Sequence, residues 1–364
     1  MIRIASFARL LLTASLLALA TRAAHAAPDA EIRSLCDRGL YKQARARLEL
    51  LARTAPHDAE THLMRSRVAL AFGDVDGAVS AAEAATKAAP DHADAHSALA
   101  DAVGIKAMHA SAISQLGLAR RVKKEAETAA ALDPRHVGAR TTLVQYYLLA
   151  PGIVGGDRNK AHAMADELAR IDPVEGEFAR AQCASRDKQP ARAESLYRAA
   201  VAVAPGSYEA RMALARVLAT DTRAGFDEAI EQARAAIAID PERSGGYSVL
   251  TAVYAHRGEW SALDLALADA EHANPGDRSP AYVAARTLVV DETAPQRAEA
   301  LLRRYLEQEP EGAAPSLAHA HWRLGLALEQ EGKPLDAIHE LEQALALKPD
   351  LSEARKDLKR LKKG

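Results

Sequence analysis

Residues 320–349, AHWRLGLALEQEGKPLDAIHELEQALALKP, decide how this chain of 364 residues is read. Two amphipathic stretches flank a break. Trp322, Leu324 and Leu328 recur at helical spacing before Gly332, and Ala337, Leu341 and Ala344 do so behind it, until Pro349 ends the run. A proline after the last turn cannot continue a helix and restrains the residue before it. Ala337 and Ala344 are seven residues apart and share one helix face. Small side chains there let a helix approach its neighbour to the near end of the usual range of about 8–10 Å. The stretch therefore predicts a helix-turn-helix unit that stops and reverses at its proline.

The unit recurs along the chain. Pro56, Pro90, Pro134, Pro173, Pro205, Pro241, Pro275, Pro310 and Pro349 each close a helical segment, at separations of 34, 44, 39, 32, 36, 34, 35 and 39 residues. Twelve residues before seven of them stands an alanine: Ala44, Ala78, Ala161, Ala193, Ala229, Ala298 and Ala337. Five residues before six of them stands another: Ala85, Ala129, Ala200, Ala236, Ala270 and Ala344. Any one coincidence means little in an alanine-rich chain, but the conjunction at a near-constant period predicts stacked helical hairpins. An aromatic content of only 4% argues the same way against a sandwich or barrel.

These units resemble tetratricopeptide repeats. The family pattern, W-x2-L-G-x2-Y followed by alanine, a bulky residue, alanine and proline, is met by Trp322 (one residue off register), Leu324, Gly325, Leu328, Ala337, Leu341, Ala344 and Pro349. Residues 244–275 match through Tyr247, Leu250, Tyr254, Gly258, Ala270 and Pro275, with Leu263 in place of the first alanine. The resemblance extends over about residues 29–349 and implies an all-α fold: a right-handed α-solenoid of about nine helical hairpins over residues 27–349. Residues 350–364 read as a capping helix, apolar at Leu351, Ala354, Leu358 and Leu361, with a basic C-terminus.

Residues 1–26 read as a signal peptide. Arg3 and Arg9 precede an apolar run from Leu10 to Ala20, too short to span a bilayer, and Ala24-His25-Ala26 offers small residues for cleavage after Ala26. That compact apolar centre argues against a mitochondrial transit peptide, and Cys36 lies too far beyond it for a lipid anchor. A periplasmic or secreted chain is expected, with no membrane span after cleavage. Removing Arg3, Arg9 and Arg22 takes the 47 basic residues to 44 against 49 acidic ones, a balance that does not recruit nucleic acid.

The longer proline intervals locate insertions near 104–124, 151–156 and 311–317. In YYLLAPGIVGGDRNKA (146–161), Pro151-Gly152 breaks the first helix, Gly155-Gly156 permits a sharp turn, and Asp157 is placed to cap the helix that holds Ala161. Neither the spacing nor a preceding strand fits a phosphate loop, so no nucleotide is expected. The loop residues Pro151, Gly152, Ile153, Val154, Gly155 and Gly156 remain a possible contact site, and APGIVGG resembles a segment in a group of exported bacterial repeat proteins. Cys36 and Cys183 fall on first helices four repeats apart, a separation that excludes a disulfide between them. His92 and His96 straddle the turn after Pro90 and read as solvated, and His339-Glu340 lacks a second metal-binding histidine. No catalytic residue, metal or cofactor is expected.

The resemblance implies a groove lined by the first helices and suited to an extended peptide or a helix of a partner. Carried over residue by residue, its lining would be Leu63 and Arg67, Thr141 and Gln145, Phe178 and Gln182, Met212 and Arg216, Tyr282 and Arg286, and Trp322. Arginines beside apolar and aromatic side chains suit a carboxylate next to an apolar group. The expected function is a non-catalytic scaffold that binds a protein or peptide of the cell envelope. The alternative is a small-molecule-binding accessory subunit of a solute uptake system, which would need an enclosed, mostly apolar pocket instead of an open groove. Oligomeric state and partner identity are not written in the sequence.

Overall fold

A computed structural model describes residues 30–221 and 223–363. The signal-peptide reading of residues 1–26 lies outside the described residues. Every regular element among those described is helical, and the order is a run of hairpins. Helix α1 covers residues 30–37 and is followed by α2 (Tyr41–Thr54). Then come α3 (Ala59–Ala71) with α4 (Val75–Ala88), α5 (Ala93–Met108) with α6 (Ala112–Leu132), and α7 (Val137–Leu149) with α8 (Arg158–Ile171). The series continues through α9 (Pro173–Arg186) and α10 (Pro190–Val203), α11 (Tyr208–Asp221) and α12 (Phe226–Ile239), and α13 (Gly245–Arg257) and α14 (Trp260–Ala273). It ends with α15 (Ser279–Val290) and α16 (Pro295–Leu306), α17 (Leu317–Gln330) and α18 (Pro334–Leu347), and the single helix α19 (Ser352–Leu361). Nine hairpins and a closing helix thus occupy the described residues. They fall into two compact units that divide between Ala139 and Arg140.

The recurrent alanines are what bring the helices together. Ala44, Ala78, Ala161, Ala229, Ala298 and Ala337 are completely buried, as are Ala85, Ala129, Ala200, Ala236 and Ala344. A methyl group at these points lets backbones approach closely and leaves van der Waals contact on all sides. Within each unit the first helices also touch one another, α3 on α5 in the first unit and α11 on α13, α13 on α15 and α15 on α17 in the second. The second helices make no comparable contact among themselves. First helices therefore form a tighter inner layer and second helices a splayed outer one.

Turn chemistry fixes each reversal. In the hairpin of α17 and α18, Gly332 adopts φ +75°, and the amides of Gly332 and Lys333 donate to the carbonyls of Glu329 and Leu328, at 2.9 Å each. Pro173 departs from the expected pattern. It does not close α8 from beyond but is the first residue of α9, and Asp172 is at once the last cap of α8 and the N-cap of α9, accepting from Val174 and Glu175 at 3.0 Å. So short a connection forces α8 and α9 together. A Cβ on Gly176 would lie 2.2 Å from Ala169 Cα. The long interval before Pro134 is absorbed as helix, in the 16 residues of α5 and the 21 of α6.

Helix α14 is the exception in packing. Leu263, fully buried where other repeats have alanine, holds α14 off α13, and α14 barely touches α15. Beside it lies an open cleft of about 560 Å³ over Tyr247, Leu250 and Tyr254, with Ile237 and Leu265 on its banks. At the end of the second unit, Leu351 and Ala354 of α19 are buried against Leu341 and Ala344, which covers the last hairpin. Its basic face pairs with acids of that hairpin, Arg360 with Glu329 and Lys362 with Glu342.

Gly176→Ala should destabilise the protein by about 1–3 kcal/mol, because only backbone movement can make room for the methyl group. Gly117→Ala, in α6 with nothing within 4 Å of the added carbon, should instead stabilise by about 0.5–1 kcal/mol. Urea midpoints that shift in opposite directions would check both.

Candidate functional site

In the first unit the inner layer carries a charged network. Arg33 on α1 donates to Glu60 on α3 at 3.0 Å and to Asp94 on α5 at 2.9 Å. Glu60 also meets His92 Nε2 at 2.9 Å. The amide of Ala139 donates to His136 Nδ1 at 3.0 Å, which leaves the proton on Nε2, and Nε2 donates to Asp94 at 2.8 Å. The hydrogen bond from His136, helped by Arg33 and opposed by burial, holds the Asp94 carboxyl well below the usual carboxylate range. Arg67, Asp94, Asp133 and His136 border an open cleft of about 380 Å³. Ser66 lines it too, and its completely buried hydroxyl has no hydrogen-bond partner among the described residues.

The expected groove positions separate into two kinds. Leu63, Met212 and Tyr282 are not groove residues: they are 1%, 2% and 6% exposed and belong to the hydrophobic cores. Arg67, Gln145, Arg216 and Arg286, each four residues further on, stand outside the core. Residues four apart share a helix face but differ by about 40° around the axis, enough to turn one between helices and the next towards solvent. Thr141, Phe178 and Gln182 are half-buried, with Phe178 packed on Tyr197 at a ring separation of 6.1 Å. Arg67 is engaged by Asp37 at 3.1 Å, whereas no carboxylate pairs with Arg216 or Arg286 among the described residues. Trp322 donates from Nε1 to Asp357 of α19 at 2.9 Å, so the closing helix already holds it.

Sequence reasoning missed Arg323. Its guanidinium carbon lies 4.1 Å from the centre of the Trp322 ring, and its buried Nε has no partner. Burial lowers its pKa, and the positive charge of Arg286 lowers it further. Nothing in the local sequence separates this arginine from paired ones, because partners come from a hairpin about 30 residues away, as Asp227 does for Arg257.

In the inserted loop, Asp157 caps α8 as expected, accepting from Asn159 at 2.9 Å and Lys160 at 3.3 Å. Pro151 and Gly152 are exposed, Gly152–Val154 make a 3-10 turn, and Gly155 takes φ +99°. Gly156 is needed because a Cβ there would lie 1.8 Å from the Ala150 carbonyl oxygen. Ile153 is 79% exposed, but Val154 is buried and its carbonyl accepts from Tyr146. Only one of the two apolar loop residues is thus offered to a partner.

The two histidines expected to be solvated are not. His92 caps α5, and His96 is wedged between Glu125 at 2.7 Å and the Pro90 carbonyl at 2.9 Å. The turn after Pro90 runs directly into α5, and both rings fold back onto it. Among the described residues no three His, Cys, Asp or Glu side chains gather as a metal would require, and no helix is long and apolar enough to cross a membrane. Cys36 and Cys183 are free and buried, and burial pushes each thiol up to about 11.

Comparison with known proteins follows from this geometry. A family model for the tetratricopeptide repeat matches residues 30–93, 63–116, 178–244 and 282–352, together more than half of the chain. No curated protein matches the sequence. Yeast Tom70 is similar in structure, with a TM-score of 0.50 at 13% identity over 94% of this chain and 88% of Tom70. TTC0263, a thermophilic TPR protein of Thermus thermophilus, gives a TM-score of 0.47 at 20% identity over 53% of this chain and 98% of its own. Cut9 in the Cut9-Hcn1 hetero-tetramer of APC/C gives 0.45 at 13% identity over 87% and 58%. At such identities the Tom70 likeness speaks for the fold alone.

Because the folded pKa of Asp94 is depressed, its contribution to stability is present above the unfolded value near 3.9 and disappears as pH falls below it. Asp94→Asn should therefore cost about 1 kcal/mol at pH 7 and progressively less below about pH 4. Urea titrations at pH 7 and pH 3 check the narrowing.

Proposed function

Since the chain belongs to the tetratricopeptide repeat family, whose members are in general scaffolds for protein-protein interaction, we propose that it is an exported, non-catalytic adaptor. Its inner helix layer receives an extended peptide or a helix of a partner in the cell envelope. The observation that carries this reading is the side-chain alternation along the inner layer of the second unit. Met212 and Tyr282 are locked in the core, while Arg216 and Arg286 one turn further stand exposed without a carboxylate. Charged groups held on a rigid helical layer without internal partners suit recognition of a ligand of opposite sign. The loop at 151–156, which presents Ile153, is a second contact point on this reading.

The small-molecule alternative finds less support. Neither the cleft of about 380 Å³ in the first unit nor that of about 560 Å³ beside α14 is enclosed, and the first is bordered largely by charged and hydroxyl side chains. Small ligands are ordinarily surrounded in apolar cavities. Export rests on the first 26 residues and is part of the proposal.

Affinity capture from envelope extracts should recover partners with the wild-type chain and lose them with the Arg216/Arg286→Glu double variant. Arg67 is left unchanged because of its pairing with Asp37. Retention of the same partners at equal yield would refute the inner-layer assignment. The mature protein isolated from the envelope should begin at Ala27, and recovery of an intact Met1 terminus would refute export.

A further inference from the structure

Cations of the second unit are as a rule neutralised from the neighbouring hairpin. Arg198 bonds Glu228 at 2.8 Å, Arg257 bonds Asp227 at 2.7 Å and Arg278 bonds Glu307 at 2.8 Å. Arg286 and Arg323 break the rule on adjacent inner helices, although acids outnumber bases in the chain, 49 to 47. Each guanidinium feels the other's charge, and no carboxylate hydrogen-bonds to either among the described residues. The nearest candidate, Asp357, has both oxygens taken, by Trp322 Nε1 at 2.9 Å and by Arg360 at 3.2 Å. Arg323 is fixed from two sides. It stacks on Trp322 and donates to the hydroxyl oxygen of Tyr282, which leaves the phenolic proton available for donation. Tyr282 is itself set by the core and packs on Tyr305 with ring centres 5.2 Å apart.

Two like charges held together beside aromatic rings repel one another, and an anion between them removes the repulsion and satisfies the open donors. We infer that Arg286, Arg323 and the Tyr282 hydroxyl form a subsite for a single carboxylate on the inner face between α15 and α17. Its natural occupant, on the peptide-binding reading proposed above, is an acidic side chain or the terminal carboxylate of the bound segment. Charge decides for a carboxylate over a phosphate dianion. Asp357, Glu329 and Arg360 together contribute one net negative charge next to the two guanidiniums, leaving one positive charge for the ligand to match. The planar guanidinium fork also fits a carboxylate edge.

The test uses the full chain labelled with ¹⁵N-arginine, with side-chain Nε–H signals assigned from Arg286→Gln and Arg323→Lys. Sodium acetate and, separately, sodium phosphate replace chloride at constant ionic strength. Acetate should shift the Arg323 Nε–H signal saturably, and Arg286→Gln should raise the half-saturation concentration at least tenfold. Arg286→Gln should also leave the urea midpoint of the ligand-free protein unchanged or raise it, because it removes repulsion. The subsite is refuted by the absence of saturation with acetate, by an unchanged response in Arg286→Gln, by a fall in that variant's midpoint, or by saturation with phosphate alone. A labelled dodecapeptide of alternating leucine and glutamate, compared with its glutamine version, separates the two readings. If acetate saturates and neither peptide binds, the subsite stands and the peptide-binding reading falls.

Discussion

Close approach of helices at alanine is the constraint from which the rest of this structure follows. A methyl group facing a backbone allows two helices to pack at the near limit, and when this recurs at both ends of each second helix, successive hairpins are drawn into register. Where the alanine is missing the consequence is local and visible. Leu263 fills the position in α14, the helix stands off its neighbours, and a cleft opens along it. Gly176 shows the opposite extreme, since the one-residue connection at Asp172 presses two helices so close that no side chain fits between them.

Stacking of first helices on one another creates a layer whose side chains must take one of two roles. One turn of helix separates Met212 from Arg216 and Tyr282 from Arg286, and it carries each pair from the core to the surface. Charge is then distributed between hairpins. Ion pairs such as Arg257 with Asp227 link residues about 30 apart in the sequence. Each such exposed pair is worth at most about 1 kcal/mol, so their effect is on register and on the surface potential more than on stability. Against this pattern of neutralisation, cations left without carboxylates on the inner layer become informative.

The first unit resolves its charges differently. Arg33, Glu60, His92, Asp94 and His136 bridge α1, α3, α5 and the residues leading into α7, and both carboxylates are multiply bonded. That network ties its inner layer together, whereas the second unit leaves Arg216, Arg286 and Arg323 without carboxylates. The same repeat architecture thus supports a self-satisfied surface in one unit and an unsatisfied one in the other, and the difference lies in side chains that the repeat pattern does not constrain.

The helical hairpins, their number, the closing helix and the cap at Asp157 were legible in the sequence, because proline stops, seven-residue alanine spacing and turn glycines act on neighbours within one or two helical turns. Burial of the recurrent alanines follows from that same periodicity. What the sequence did not determine is which member of each groove pair faces outward, why Leu63, Met212 and Tyr282 belong to the core, or that His92 and His96 are bonded instead of solvated. Nor did it separate Arg67, paired with Asp37, from Arg286 and Arg323, which face each other across two helices. Those outcomes depend on residues brought from the next hairpin, and a local pattern carries no information about what stands opposite a side chain once the hairpins have stacked.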